Sequence, residues 1–116
     1  MIAILVAMAF VGEAPPPLIY ETPGWARRPS AVDIGRVYPR AALRQGVGGK
    51  AIIGCKVVAN GTLSECAVVA EEPVGMGFGE ATLALAPLFQ MRPQANGRPV
   101  EGSRVRIPVI FTPPSR

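Results

Sequence analysis

The sequence predicts an α+β fold, a two-layer sandwich in which a three-stranded antiparallel sheet carries helices packed on one face. Three observations lead there. Two apolar runs that alternate with period two flank Asn60-Gly61, a dipeptide that tolerates the positive φ of a tight hairpin. Residues 78–89 then space their apolar side chains by three and four, and residues 104–111 alternate again. The order is helix, strand, strand, helix, strand within 116 residues, which suits one domain with one modest core.

The first eleven residues carry no charge and are almost all aliphatic, until Gly12, Glu13 and the prolines at 15–17 end the run. A membrane-spanning helix needs about 20 apolar residues and a signal-peptide core only about 7–15. Export is therefore the expectation for residues 1–14, as a signal peptide or short N-terminal hydrophobic segment, with a retained anchor or a buried strand as the other readings. Ala7-x-Ala9 and the small residues near Ala14 offer cleavage sites, although a basic start is missing. Residues 15–37 read as a Pro-containing linker in which Pro15, Pro16, Pro17, Pro23 and Pro29 oppose regular structure, while the single tryptophan, Trp25, docks on the core. Ser30 and Asp33 have capping-box spacing and begin a short helical turn at Ala31, which Gly35 weakens. Pro39 suits the first position of a second short helix and Gly46 its left-handed stop, with Ala42 and Leu43 turned inward. The domain itself is expected over residues 38–113.

Residues 50–58 read as the first strand, with Ala51, Ile53, Cys55 and Val57 on one face. Cys55 stands five residues before Asn60 and Cys66 five after Gly61. A two- or four-residue loop opposes the two cysteines directly, and the four-residue loop makes theirs the closer, non-hydrogen-bonded kind of pair, from which a disulfide follows. A three-residue loop with Gly61 as a left-handed bulge opposes Cys55 to Glu65 instead, and a bridge then needs a second irregularity. Two small buried thiols are the other outcome. The second strand, residues 63–71, turns Cys66, Val68 and Ala70 to the core, and Leu63 is out of phase with them. A bulge near Ser64 and Glu65 repairs the phase. An exported chain agrees with a disulfide.

Gly75, Gly77 and Gly79 surround Phe78, but no Lys-Ser/Thr follows, so this is not a phosphate loop. Phe78, Ala81, Thr82, Leu85, Leu88 and Phe89 form one apolar helix face, and Pro87 ends or kinks the helix in its last turn. A turn at Asn96-Gly97 leads to the last strand, with Val105, Ile107, Val109 and Phe111 on one face and Pro113 and Pro114 after it. Pro108 lacks a ladder donor, which places this strand at an edge or a bulge within it.

Net charge is +4, yet Arg27, Arg28, Arg36, Arg40, Arg44, Arg104 and Arg106 are dispersed and aromatics make up only 6%, which describes a solvated basic surface rather than a nucleic-acid site. The absence of histidine excludes Ser-His and Cys-His nucleophiles, and two cysteines cannot supply the four ligands of a zinc site. Glu65, Glu71, Glu72 and Glu80 read as solvated or helix-start charges. Glu71 and Glu72 are neighbours on a strand end and point to opposite faces, a poor geometry for shared acid–base work. No catalytic residue, metal or cofactor is expected.

Tyr38-Pro39 with Ala42 and Gly46-Val47-x-Gly49, the strand ending in Asn60-Gly61-x-Leu63, Phe89-x-Met91-x-Pro93, Gly97-x-Pro99-Val100 and Val105-x-Ile107-Pro108-x-x-Phe111 follow one another at set spacing. Together they resemble the C-terminal domain of TonB, the periplasmic energy transducer of Gram-negative bacteria, over residues 38–111. The resemblance implies a TonB C-terminal-like sandwich and a non-enzymatic periplasmic binding module. Such a domain takes an extended segment of an outer-membrane TonB-dependent receptor, the TonB box, as an added strand beside its last strand. That assigns the docking edge to residues 104–112, with Arg104, Val105, Arg106, Ile107, Val109, Ile110 and Phe111 as site residues and Arg104 or Arg106 biasing partner choice. Another envelope protein or a second copy of the chain, in a structural role, would use the same edge. A working TonB also carries a membrane helix with a histidine and a long Pro-rich spacer. This chain has no histidine, and its linker reaches about 50 Å or less, so energy transduction by this chain alone is not expected. Attachment to the inner membrane is expected only if the N-terminal segment stays uncleaved.

Overall fold

A computed structural model describes residues 19–20 and 23–115, so the export or anchor expectation for residues 1–14 lies outside the described residues. In chain order the elements are β1 (Ile19–Tyr20), β2 (Trp25–Arg27), α1 (Ala31–Val37), α2 (Arg40–Gln45), β3 (Gly49–Val57), β4 (Leu63–Glu72), α3 (Phe78–Leu85), β5 (Gln90–Met91), β6 (Gln94–Ala95), β7 (Arg98–Pro99) and β8 (Arg104–Phe111). β3 is central, antiparallel to β4 on one side and to β8 on the other. These are the three antiparallel strands that the sequence predicts. β1 adds a fourth, two-residue strand, parallel to the start of β8. Both β1 and β2 fall in the stretch where proline argues against regular structure; they form because each fits between prolines, Ile19–Tyr20 after Pro17 and Trp25–Arg27 between Pro23 and Pro29.

Alternation buries Ala51, Ile53, Cys55 and Val57 of β3 and Val105, Ile107, Val109 and Phe111 of β8, and Phe78, Ala81, Thr82 and Leu85 of α3 close the layer above them. The helix stops at Leu85, and Pro87 sits in the 3-10 turn Ala86–Leu88 that follows. Trp25 docks as expected, its ring 4.8 Å from that of Phe89. In α1 the capping box is complete despite Gly35: the Ser30 N–H donates to the Asp33 carboxylate at 2.8 Å and the Asp33 N–H to Ser30 Oγ at 3.2 Å. α2 ends on Gly46 at φ +66° and buries Ala42. Leu43, however, is 41% exposed. Adjacent helix positions point about 100° apart, so a six-residue helix that turns Ala42 inward turns Leu43 out.

The β3–β4 hairpin takes the three-residue loop. Asn60 and Gly61 both have positive φ, the Val58 N–H donates to the Thr62 carbonyl at 2.8 Å, and Val57 pairs with Leu63 and Lys56 with Ser64. That register would set Cys55 against Glu65. Glu65, at φ +50°, bulges out instead, and beyond it Gly54 pairs with Ala67, which brings Cys55 opposite Cys66. The two are joined in a disulfide with Cα atoms 4.1 Å apart. A second irregularity at Val69 is absent from the sequence reading: Ile53 pairs with Val68, but Ile52 pairs with Ala70. Ala70 therefore turns to the open face, not to the core, and Glu71 turns inward opposite Ala51. Gly54 makes room for this, since a Cβ there would lie 3.2 Å from Val69 Cγ2.

Candidate partner-binding edge

Which groups β8 presents outward follows from one pair of hydrogen bonds at its base. The Val57 N–H donates to the Ser103 carbonyl, and the Val57 carbonyl accepts from the Gly102 N–H, each at 2.8 Å. The main-chain groups of Val57 thus face the β8 side, and alternation along β3 turns those of Cys55, Ile53, Ala51 and Gly49 the same way. Their partners in register are Val105, Ile107, Val109 and Phe111. These four residues point their side chains into the core and their N–H and C=O groups at β3. Of the predicted site residues, they are the ones that give an incoming strand neither.

The outward groups belong to the intervening residues, Arg104, Arg106, Pro108, Ile110 and Thr112. Pro108 lies within the predicted edge of residues 104–112 but not among its named site residues; its carbonyl faces outward, and its lost donor is on the outer side and costs the sheet nothing. β1 lies against Arg104 and Val105. The Arg106 N–H meets Tyr20 of β1 as well, and beyond it residues 107–111 have no strand on the outer side among the described residues.

That free stretch forms one side of a groove of about 560 Å³, whose other side is Pro23, Trp25, Arg28, Pro29 and Ile34, with Phe89 between. A second groove of about 460 Å³ continues past Ile110 and Thr112, bounded by α1, Tyr38 and Leu43. Ile34 and Ile110 belong to both, so the two form one trough along the edge. Ile110, 68% exposed, and the outward Leu43 make part of it apolar, while Arg28 and Arg106 add positive charge. The wall residues Trp25, Ile34 and Phe89 escaped the site prediction, because their approach to β8 depends on the path of the linker; the one available hint was the lone tryptophan among prolines. The Ser30–Asp33 capping box fixes the start of α1 in that wall. The Ser30 N–H, then the Ser30 hydroxyl, and less strongly the Arg36 guanidinium, hold the Asp33 carboxyl below the ordinary carboxylate range.

The sheet has one other edge, β4. It is longer, but the extra residues at Glu65 and Val69 interrupt the even spacing of its outward groups. Among the described residues no helix is long and apolar enough to cross a membrane.

A family model described as Gram-negative bacterial TonB protein C-terminal matches residues 35–113. Among solved structures, the chain resembles the solution NMR structure of the Pseudomonas aeruginosa TonB CTD, with a TM-score of 0.54 and 19% identity over 68% of this chain and 79% of that one. It also resembles the TonB2 protein from Vibrio anguillarum, with a TM-score of 0.52 and 24% identity over 67% of this chain and 74% of that one. At these identities the likeness speaks for the fold. No curated protein sequence matches the chain significantly.

Proposed function

The chain belongs to the Gram-negative bacterial TonB protein C-terminal family, and from that membership we propose that it is a non-enzymatic periplasmic module of TonB-dependent transport that captures an extended segment of an outer-membrane receptor along β8. One observation carries the reading: the outward main-chain groups of residues 108–112 line a trough and have no strand beside them among the described residues. An extended peptide satisfies such a row by hydrogen bonding, and side-chain pockets then select it. The trough offers both, with Trp25, Ile34 and Ile110 for apolar side chains and Arg28 and Arg106 for an acidic one. The bulged β4 edge is the poorer template, since an added strand pairs evenly only with a regular one.

Calorimetric titration with synthetic receptor segments tests this. Saturable binding is expected, and Ile110→Pro, which removes an outward donor without touching the β3 ladder, is expected to weaken it more than tenfold. Binding that Ile110→Pro leaves intact would place the partner elsewhere. A mass that rises with protein concentration, and that Ile110→Pro returns to monomer, would mean that the edge serves a second copy instead.

A further inference from the structure

The described part of the chain already contains a strand that uses this edge. β1 pairs Ile19 with Arg104 and Tyr20 with Val105, in parallel. In a parallel pair a residue sits between two outward-facing residues of its neighbour. Tyr20, beside Val105, thus lies between the outward groups of Arg104 and Arg106. On the reading that the β8 edge receives a partner strand, β1 holds the first part of the partner's site.

We propose that β1 is a built-in competitor, a strand of this chain that occupies the Arg104–Arg106 end of the docking edge and is displaced when a partner strand pairs along the whole of β8. Three features suit that role. Among the described residues the pairing is two residues long and Ile19 is 52% exposed, so the half-buried Tyr20 is its main hold on the core. The chain is anchored just beyond it: β2 pairs Trp25 with Met91, and the Trp25 ring packs on Phe89. Release of β1 therefore leaves the trough wall standing. The same anchor keeps the released strand close, at the high effective concentration of a short tether, so re-pairing is fast when the partner leaves. A partner then meets a site that is only fractionally open, and its apparent affinity falls by that fraction.

Amide hydrogen exchange on the full chain, with Tyr20→Pro and the control Tyr20→Ala, tests the proposal. In this parallel pair the Tyr20 N–H donates to the Arg104 carbonyl and the Tyr20 carbonyl accepts from the Arg106 N–H, so in the unmodified chain the Arg106 amide is expected to exchange more slowly than the outward amide of Ile110. Tyr20→Pro, which loses the donor to the Arg104 carbonyl and so releases β1, should bring the Arg106 amide to the Ile110 rate, whereas Tyr20→Ala, which keeps the N–H and loses only the ring, should do so less. Equal rates in the unmodified chain would overturn the pairing. A synthetic peptide with the sequence of residues 15–22, added to the Tyr20→Pro variant, should restore slow exchange at Arg106; failure to do so would also overturn it. Receptor segments should bind Tyr20→Pro about three- to tenfold more tightly than the unmodified chain. Unchanged or weaker binding would mean that β1 does not compete. Segments that bind neither protein would refute receptor capture itself, while the exchange and peptide results still decide whether β1 occupies the edge.

Discussion

The Glu71 carboxylate accepts a 2.8 Å hydrogen bond from the backbone N–H of Gly79, so the end of β4 caps the start of α3 from across the sandwich. The helix needs it. Its own N-cap, Gly77, has no side chain, and the first N–H groups of a helix have no partner within it. Glu71 satisfies one of them and sets negative charge at the positive end of the helix dipole. Glu71→Ala is expected to lower stability by about 1–2 kcal/mol and Glu71→Gln by less, because the amide keeps an acceptor but no charge. Urea unfolding of the two variants measures the difference.

The Cys55–Cys66 disulfide ties β3 to the edge strand β4 beside the Glu65 bulge. Closing a short loop in the unfolded chain stabilises a domain by about 2–3 kcal/mol. Reduction, or the double change Cys55→Ala and Cys66→Ala, is expected to lower the melting temperature by roughly 10–20 °C in a domain of this size. Calorimetry with and without reductant reads the effect directly.

Asp33 gives the fold an acid sensitivity of known sign. Its carboxyl ionises below its ordinary value when folded, first because of the Ser30 N–H and then the Ser30 hydroxyl, with Arg36 adding to both. A depressed folded value contributes stability that is complete above the unfolded value of about 3.9 and is lost as pH falls through the folded one. An NMR titration of Asp33 should show a midpoint below that value, and Ser30→Ala should move it back up.

Pro108 and Val109 are adjacent, yet their nitrogens face opposite ways. The Val109 N–H points at Ala51 in β3, so Val109→Pro removes a buried ladder bond and is expected to cost about 2–4 kcal/mol. Pro108→Ala restores only an outward donor. Its stability change should stay within about 0.5 kcal/mol, while receptor segments bind severalfold more tightly. Chemical unfolding and calorimetric titration on the two variants separate the effects.

Much of the fold was legible because it is written at short range. Ser30 and Asp33 cap α1, Asn60 and Gly61 turn the hairpin, Pro87 ends α3, and the alternation in residues 50–57 and 104–111 names the buried face. The Cys55–Cys66 bridge follows directly from the two- and four-residue loops, whereas the three-residue loop that forms needs an added irregularity, and the phase of Leu63 places a bulge near Ser64 and Glu65 that supplies it. The proposed docking edge is legible as a strand, but not as a set of groups: Val105, Ile107, Val109 and Phe111 face inward in both side chain and main chain.

By itself, the sequence determined what depends on neighbours within a few residues: turn conformations, caps, helix ends and the periods that separate core from solvent. Tertiary structure alone decided the outward nitrogen of Pro108, the bulge at Val69 that turns Glu71 toward Gly79, and the seating of Ile19 and Tyr20 on β8. The physical reason is register. A side chain's face is set by its own strand's period, whereas the partner of a main-chain group depends on how segments tens of residues apart slide into line, and a one-residue shift reverses the answer.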